Sequence, residues 1–68
     1  MTNILKEERV NKKLTQSQLA ELAGVSRQTI FAIEIHKYIP SVMLSLKLAN
    51  ILEKKVEELF FLEKSDWD

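Results

Sequence analysis

Sixty-eight residues with one Gly, one Pro and no Cys make a single domain over 1–68 and exclude a disulfide framework, a thiolate metal centre and a second core. The 46% hydrophobic and 29% charged content is that of a compact helical domain rather than a disordered tail. Ten basic side chains balance ten acidic ones, which counts against nucleic-acid binding until their placement is considered.

Residues 1–40 hold six basic side chains (Lys6, Arg9, Lys12, Lys13, Arg27, Lys37) against four acidic ones, and residues 41–68 hold four against six. The chain is thus a weak dipole, basic in its first part. No apolar run approaches the ~18 residues of a membrane span, so a soluble cytoplasmic protein is expected, with no membrane partner.

The first helix is predicted from about Asn3 to Lys12, with Thr2 or Asn3 as cap and Leu5 inward. Thr15-Gln16-Ser17-Gln18 fits a capping box. Leu19, Ala20, Leu22 and Ala23 follow as one apolar face, and Gly24 supplies the left-handed residue that ends the helix. Ser26 caps a third helix running through Glu34, with Ile30 and Ile33 inward and Arg27, Gln28, Phe31 and Ala32 outward. Lys37 to Pro40 is a loop, and Ser41 caps the next helix. Val42, Ser45, Leu46, Ala49 and Leu52 recur at helical spacing and mark the fourth helix. A short fifth helix covers Val56 to Phe60, with Val56, Leu59 and Phe60 inward. The segment from Leu62 to Asp68 carries no clear signal, and Trp67 is read either as frayed or as anchoring the tail on the N-terminal residues or on another subunit.

Two short helices joined around Gly24 make a helix-turn-helix spanning 15–34, in which the second helix lies in the major groove of DNA. Residue identity strengthens the reading. Leu14-Thr15-Gln16-Ser17-Gln18-Leu19-Ala20, Gly24-Val25-Ser26-Arg27-Gln28-Thr29-Ile30 and Ile33-Glu34 resemble the Xre/Cro family of bacterial and phage regulators. The resemblance continues through Lys37-Tyr38, Pro40-Ser41 and Glu57-Glu58-Leu59-Phe60.

This resemblance implies an all-α, five-helix lambda-repressor-like DNA-binding domain, with a short terminal β pairing as an optional addition. It implies double-stranded DNA as partner, with base edges read by Arg27, Gln28 and Phe31, and Ala32 at the margin. The chemistry agrees, since Arg donates bidentately to guanine, Gln pairs with adenine and an apolar ring packs on a thymine methyl. Gln16 matches a position that touches the DNA backbone. Ser17, Ser26, Thr29, Lys37 and Tyr38 are further backbone candidates. Arg9 and Glu34 are expected to pair across the bundle, aligning the first and third helices with the small energy of an exposed ion pair.

Other chemistries find no support. His36 is a lone imidazole without a second ligand, so no metal and no cofactor are expected. Glu57 and Glu58 are adjacent on a helix and point apart, and no nucleophile constellation or Gly-rich phosphate loop is present, so no enzyme is expected.

The chain departs from the family at telling places. Glu8 stands where an apolar residue is usual, and Lys13 where Gly is common. Ile35-His36 replaces the Asn-Gly that closes the recognition helix, so either the helix runs on or the turn is strained. Ile39 replaces a polar residue, and Glu53-Lys54-Lys55 a Gly-containing turn. Ile35, Ile39, Phe61 and Leu62 add apolar surface and are the candidate homodimer interface. The expected function is a homodimeric regulator, a repressor by its small size, on a palindromic operator. The alternative is a protein-binding module such as an antitoxin or antirepressor that sequesters a partner, a reading favoured by Phe31, Ile35, Ile39 and the zero net charge.

Overall fold

Hydroxyl caps start three of the helices. In the computed structural model, which describes residues 1–68, Thr15 Oγ1 accepts from the Gln18 N–H at 3.0 Å while Gln18 Oε1 accepts from the Thr15 N–H at 2.8 Å. This closed capping box begins α2 (Gln16–Ala23). Ser26 Oγ accepts from the Thr29 N–H at 3.2 Å to begin α3 (Arg27–Glu34), and Ser41 Oγ from the Leu44 N–H at 3.1 Å to begin α4 (Val42–Leu52). Each satisfies one of the N–H groups that a helix start leaves without an intrahelical partner.

The remaining helices are α1 (Leu5–Asn11) and α5 (Val56–Leu59). The first is shorter than expected, because Thr2–Asn3 forms a strand, β1, instead of capping it. Strand β2 (Phe60–Phe61) pairs with β1 antiparallel, Thr2 opposite Phe61 and Asn3 opposite Phe60. Ile4 takes the cap position, its N–H donating to the Leu59 carbonyl at 3.0 Å. Asn3 still serves the helix start, since its Oδ1 accepts from the Leu5 N–H at 3.0 Å. Its amide donates to the Ile33 carbonyl at 2.9 Å and faces His36 Nδ1 at 3.3 Å, tying β1 to the end of α3.

Four helices end alike. Lys13, Gly24, His36 and Glu53 have φ of 58, 73, 63 and 56°. Each donates its N–H three residues back, and the residue after it donates five back, as in Leu14 to Arg9 and Val25 to Ala20. This double bond pattern needs a left-handed residue, and only Gly24 is the residue type that adopts it without strain. The strained turn expected at Ile35-His36 is therefore present, and α3 does not run on.

Leu5, Leu19, Ile30, Ile33, Leu48, Leu52 and Leu59 are fully buried and bring all five helices to one core. Two expected faces are rotated. In α4 the buried stripe is Leu44, Ser45, Leu48, Ala49 and Leu52, leaving Val42 77% and Leu46 56% exposed. In α2 Leu19, Ala20 and Ala23 are inward while Leu22 is exposed. Both segments are apolar on more than one side, so periodicity admits two stripes and the neighbouring helices select one. Val56 is only partly buried, beside the buried Leu59 and Phe60.

Lys64–Trp67 forms a single 3-10 turn. The Met1 ammonium donates to Glu63 Oε1 at 2.9 Å and lies 2.9 Å from Asp66 Oδ2. The tail is thus anchored on the N-terminus, but by charge, since the Trp67 ring is exposed. No helix is long and apolar enough to cross a membrane.

Candidate nucleic-acid interface

Ile30 and Ile33 fix the rotation of α3 by burying one side of it. The opposite side presents Arg27, Gln28 and Phe31 to solvent, with Phe31 46% exposed and Ala32 half-buried at the margin. Residues 28, 31 and 35 follow one another on a helix ridge, so the exposed Ile35 prolongs the Gln28–Phe31 side. Thr29 is half-buried, its hydroxyl 3.0 Å from Ser26 Oγ.

The ridge is held in place from behind. Arg9 Nε donates to Glu34 Oε2 at 2.7 Å, Arg9 Nη2 to Glu34 Oε1 at 3.2 Å, and Arg9 Nη1 to the Leu14 carbonyl at 2.7 Å. The side chains are 10% and 3% exposed. The expected pair is present, but as a buried fork rather than a weak surface contact, because the carboxylate is enclosed between α1, α2 and α3. Gln16 completes it, donating from Nε2 to Glu34 Oε1 at 3.0 Å. The Gln16 side chain is therefore a strut between α2 and α3, with its carbonyl oxygen and its second amide N–H unused. The Gln16 and Ser17 N–H groups precede the first bond of α2, Leu19 to Thr15, and remain open to an acceptor.

A family profile described as helix-turn-helix matches residues 5–59. The HTH-type transcriptional regulator MJ0272 of Methanocaldococcus jannaschii is 47% identical over 66 residues, 97% of this chain and 100% of the relative. YgzD of Bacillus subtilis, an HTH-type transcriptional regulator too, is 41% identical over 66 residues, with the same coverage of 97% and 100%. Among solved structures, the restriction-modification controller protein C.AhdI of Aeromonas hydrophila superposes with a TM-score of 0.76 at 38% identity, over 82% of this chain and 85% of that one. The chain belongs to the Xre-type helix-turn-helix family.

Ion pairing in this helix-turn-helix protein sorts the cations. Arg9 pairs with Glu34, Lys12 with Glu53 at 2.6 Å and Lys54 with Glu8 at 3.8 Å, while the Met1 ammonium holds Glu63 and Asp66. The Lys12 ammonium holds the Glu53 carboxyl below its ordinary range by hydrogen bond and charge. The Lys54 contact, with the Asn11 amide at 3.1 Å, accommodates Glu8 at its usually apolar position. Lys6, Lys13, Arg27, Lys37, Lys47, Lys55 and Lys64 make no ion pair, and of these Arg27, Lys37 and Lys47 lie on or beside α3 and α4. Lys47 was not singled out in the sequence, because it belongs to the acidic part of the chain and only folding brings it near Thr29 and Tyr38.

The dimer candidates do not converge on a single patch. Ile39 borders an apolar cleft of about 280 Å³ with Pro40, Val42, Leu46, Val56 and Phe60. Ile35 lies outside it on the α3 ridge, and Phe61 and Leu62 leave it along the chain after Phe60. The exposed Val42 and Leu46, read from periodicity as inward, belong to this cleft instead.

Proposed function

We propose that the protein is a DNA-binding transcriptional regulator that inserts α3 into the major groove of double-stranded DNA and acts as a homodimeric repressor on a palindromic operator. The observation that carries the reading is the exposed Arg27–Gln28–Phe31 side of a helix fixed by the buried Arg9–Glu34–Gln16 network. Base reading needs side chains held to a fraction of an ångström, and a helix braced on three elements supplies that. Arg27 suits guanine O6 and N7, Gln28 suits adenine N6 and N7, and Phe31 a thymine methyl. The open N–H groups of Gln16 and Ser17, the Ser26 and Thr29 hydroxyls, Lys37 and Tyr38 flank the reading residues and suit phosphates.

The regulatory class rests on relatives named as transcriptional regulators over essentially the same length. The dimer rests on the apolar cleft around Ile39 and Leu46. A protomer measuring 35 × 22 × 20 Å allows two copies to place their α3 helices roughly 34 Å apart, one turn of duplex. Repression requires nothing beyond occupying the operator, which a domain of this size achieves by itself.

Selection of bound duplexes from a random pool, followed by binding titrations, tests the proposal. Two inverted half-sites centred about one helical turn apart are expected. Equal affinity for selected and random duplexes overturns sequence-specific regulation. The exposed Phe31, Ile35 and Ile39 favour a second reading, sequestration of a partner protein. Salt separates the two, since binding to DNA weakens steeply with ionic strength and an apolar protein interface hardly responds.

A further inference from the structure

The apolar cleft around Ile39 and Leu46 is also walled by Met1, and no charged side chain lines it. Met1 joins this cleft to the tail, because its ammonium holds Glu63 and Asp66. Trp67 follows directly, at the end of the 3-10 turn Lys64–Trp67. With Val42 it is the most exposed of the large apolar side chains, and it does not line the cleft. The clamp thus holds a bare indole near an apolar recess that its own chain leaves open. Tryptophan is a preferred anchor of contacts between proteins, and one held in place by its backbone loses little freedom on binding. Charge flanks ring and recess in complementary fashion. Asp68, beside Trp67, and Lys55, beside the cleft residue Val56, both lack an ion-pair partner.

We propose that the occupant of the cleft is a second copy of this chain, and that the two protomers exchange Trp67. Each ring enters the other protomer's cleft, with Asp68 turned toward the partner's Lys55. The inference rests on the homodimer reading above and adds the tail to it. Two-fold symmetry makes any contact from ring to cleft occur twice, so a chain that carries both a projecting ring and an open recess is self-complementary. A ring hides about 150–250 Å² and covers a comparable area of cleft, so the exchange buries about 600–1,000 Å² in all. A stable interface needs about 1,200–2,000 Å². The exposed Ile39 and Val42 at the rim, with Leu62 in the tail, are placed to contribute the remainder.

Trp67 is the only tryptophan in the chain, so its emission reports the surroundings of the ring without a label. As the full chain is concentrated through the monomer–dimer transition, followed by sedimentation velocity, the emission is expected to move to shorter wavelength. Trp67→Ala is expected to weaken dimerisation about tenfold or more, with Tm of the dilute monomer unchanged, since the ring is no part of the core. Reciprocity is read from a mixture. Leu46→Glu keeps its ring and disrupts its cleft, whereas Trp67→Ala keeps its cleft and has no tryptophan emission of its own. Adding Trp67→Ala to Leu46→Glu is expected to shift the emission to shorter wavelength, and adding the double variant is not. Dimerisation of Trp67→Ala as strong as that of the wild type, a dimer with the emission of an exposed ring, or a mixture without the shift overturns the exchange while the homodimer reading stands. An emission already shifted in the dilute monomer overturns it too, by placing the ring on its own chain. A wild-type chain that stays monomeric at every concentration overturns both.

Discussion

Arg9 and Glu34 meet in a two-pronged ion pair, Nε to Oε2 at 2.7 Å and Nη2 to Oε1 at 3.2 Å, beneath the surface of the bundle. The carboxylate is 3% exposed, so removing its partner strands a buried charge. Arg9→Met is expected to destabilise the fold by about 3–5 kcal/mol, most of what a domain this small has to spare. Replacing both, Arg9→Met with Glu34→Leu, is expected to recover the greater part, because no charge is left without a partner. Urea unfolding of the two single variants and the double one measures the coupling. Strict additivity would show that the pair contributes nothing beyond its separate side chains.

Left-handed residues give a second prediction. Lys13 has φ of 58° and its side chain makes no ion pair. A non-Gly residue there is disfavoured by about 1–2 kcal/mol, and the extra freedom of Gly in the unfolded chain takes back about 0.5–1 kcal/mol. Lys13→Gly is therefore expected to stabilise by about 0.5–1 kcal/mol and raise Tm by a few degrees. Gly24→Ala is expected to do the reverse through backbone conformation alone, since an added Cβ meets nothing within 4 Å. His36→Gly and Glu53→Gly are poorer probes, because they also remove the contacts to Asn3 and Lys12.

These turns show what was legible in the chain. The departures at Lys13, Ile35-His36 and Glu53 mark three of the four left-handed termini, because the chain must turn there whatever residue occupies the site. The capping box at Thr15, the outward side of α3 and the Arg9–Glu34 pairing were also readable, each from local chemistry or a family pattern. Illegible were the properties that one segment acquires from another. Val42 and Leu44 are equally apolar, and only packing against α2 and α5 decides that Leu44 faces inward. The burial of Glu34 depends on Gln16 closing over it, and the two-residue strands β1 and β2 are too short to show alternation, so their terminal pairing was open only to the family resemblance.

Sequence preference supplies a third prediction. Gln28→Ala is expected to relax discrimination at one base position by about 1–3 kcal/mol while leaving other positions intact. Lys37→Ala is expected to weaken selected and random duplexes equally, because a phosphate contact carries no base information. Titrations on single-base variants of a selected duplex distinguish the two patterns. Equal loss across all bases in Gln28→Ala would remove that residue from the reading set.

The clamp between the two chain ends depends on pH at both limits. Hydrogen bonds from the Met1 ammonium, to Asp66 first and then Glu63, raise its pKa above the ordinary 8.0. The Glu63 N–H, and then the ammonium, lower that of Asp66 below 3.8. A raised amine stabilises below its unfolded value and loses the effect as pH climbs through the folded one. A depressed carboxyl stabilises above its unfolded value and loses the effect as pH falls through the folded one. The 3-10 turn is therefore expected to hold between these ordinary values and to loosen below 3.8 and above 8.0. Amide NMR shifts of Ser65 to Asp68, followed across pH at low salt, report it. Tail signals indifferent to alkaline pH would show that the ammonium is not what holds the turn.

Oligomeric state decides how the apolar cleft is used. A two-fold contact through Ile39, Val42 and Leu46 buries these side chains on both protomers, at roughly 1.5–3 kcal/mol for each one fully covered. Association itself costs an estimated 4–15 kcal/mol or more, so the balance predicts a dimer that dissociates on dilution rather than an obligate one. Leu46→Glu sets a carboxylate in that contact without disturbing the core, from which Leu46 already points away. Sedimentation velocity over a concentration series is expected to show a monomer–dimer equilibrium for the wild type and a monomer for Leu46→Glu. On a full palindrome the variant should lose the affinity gained from binding two half-sites together, while affinity for an isolated half-site stays near that of a wild-type protomer. A variant that remains dimeric would move the interface elsewhere, to the Ile35 side of α3 or to Phe61 and Leu62.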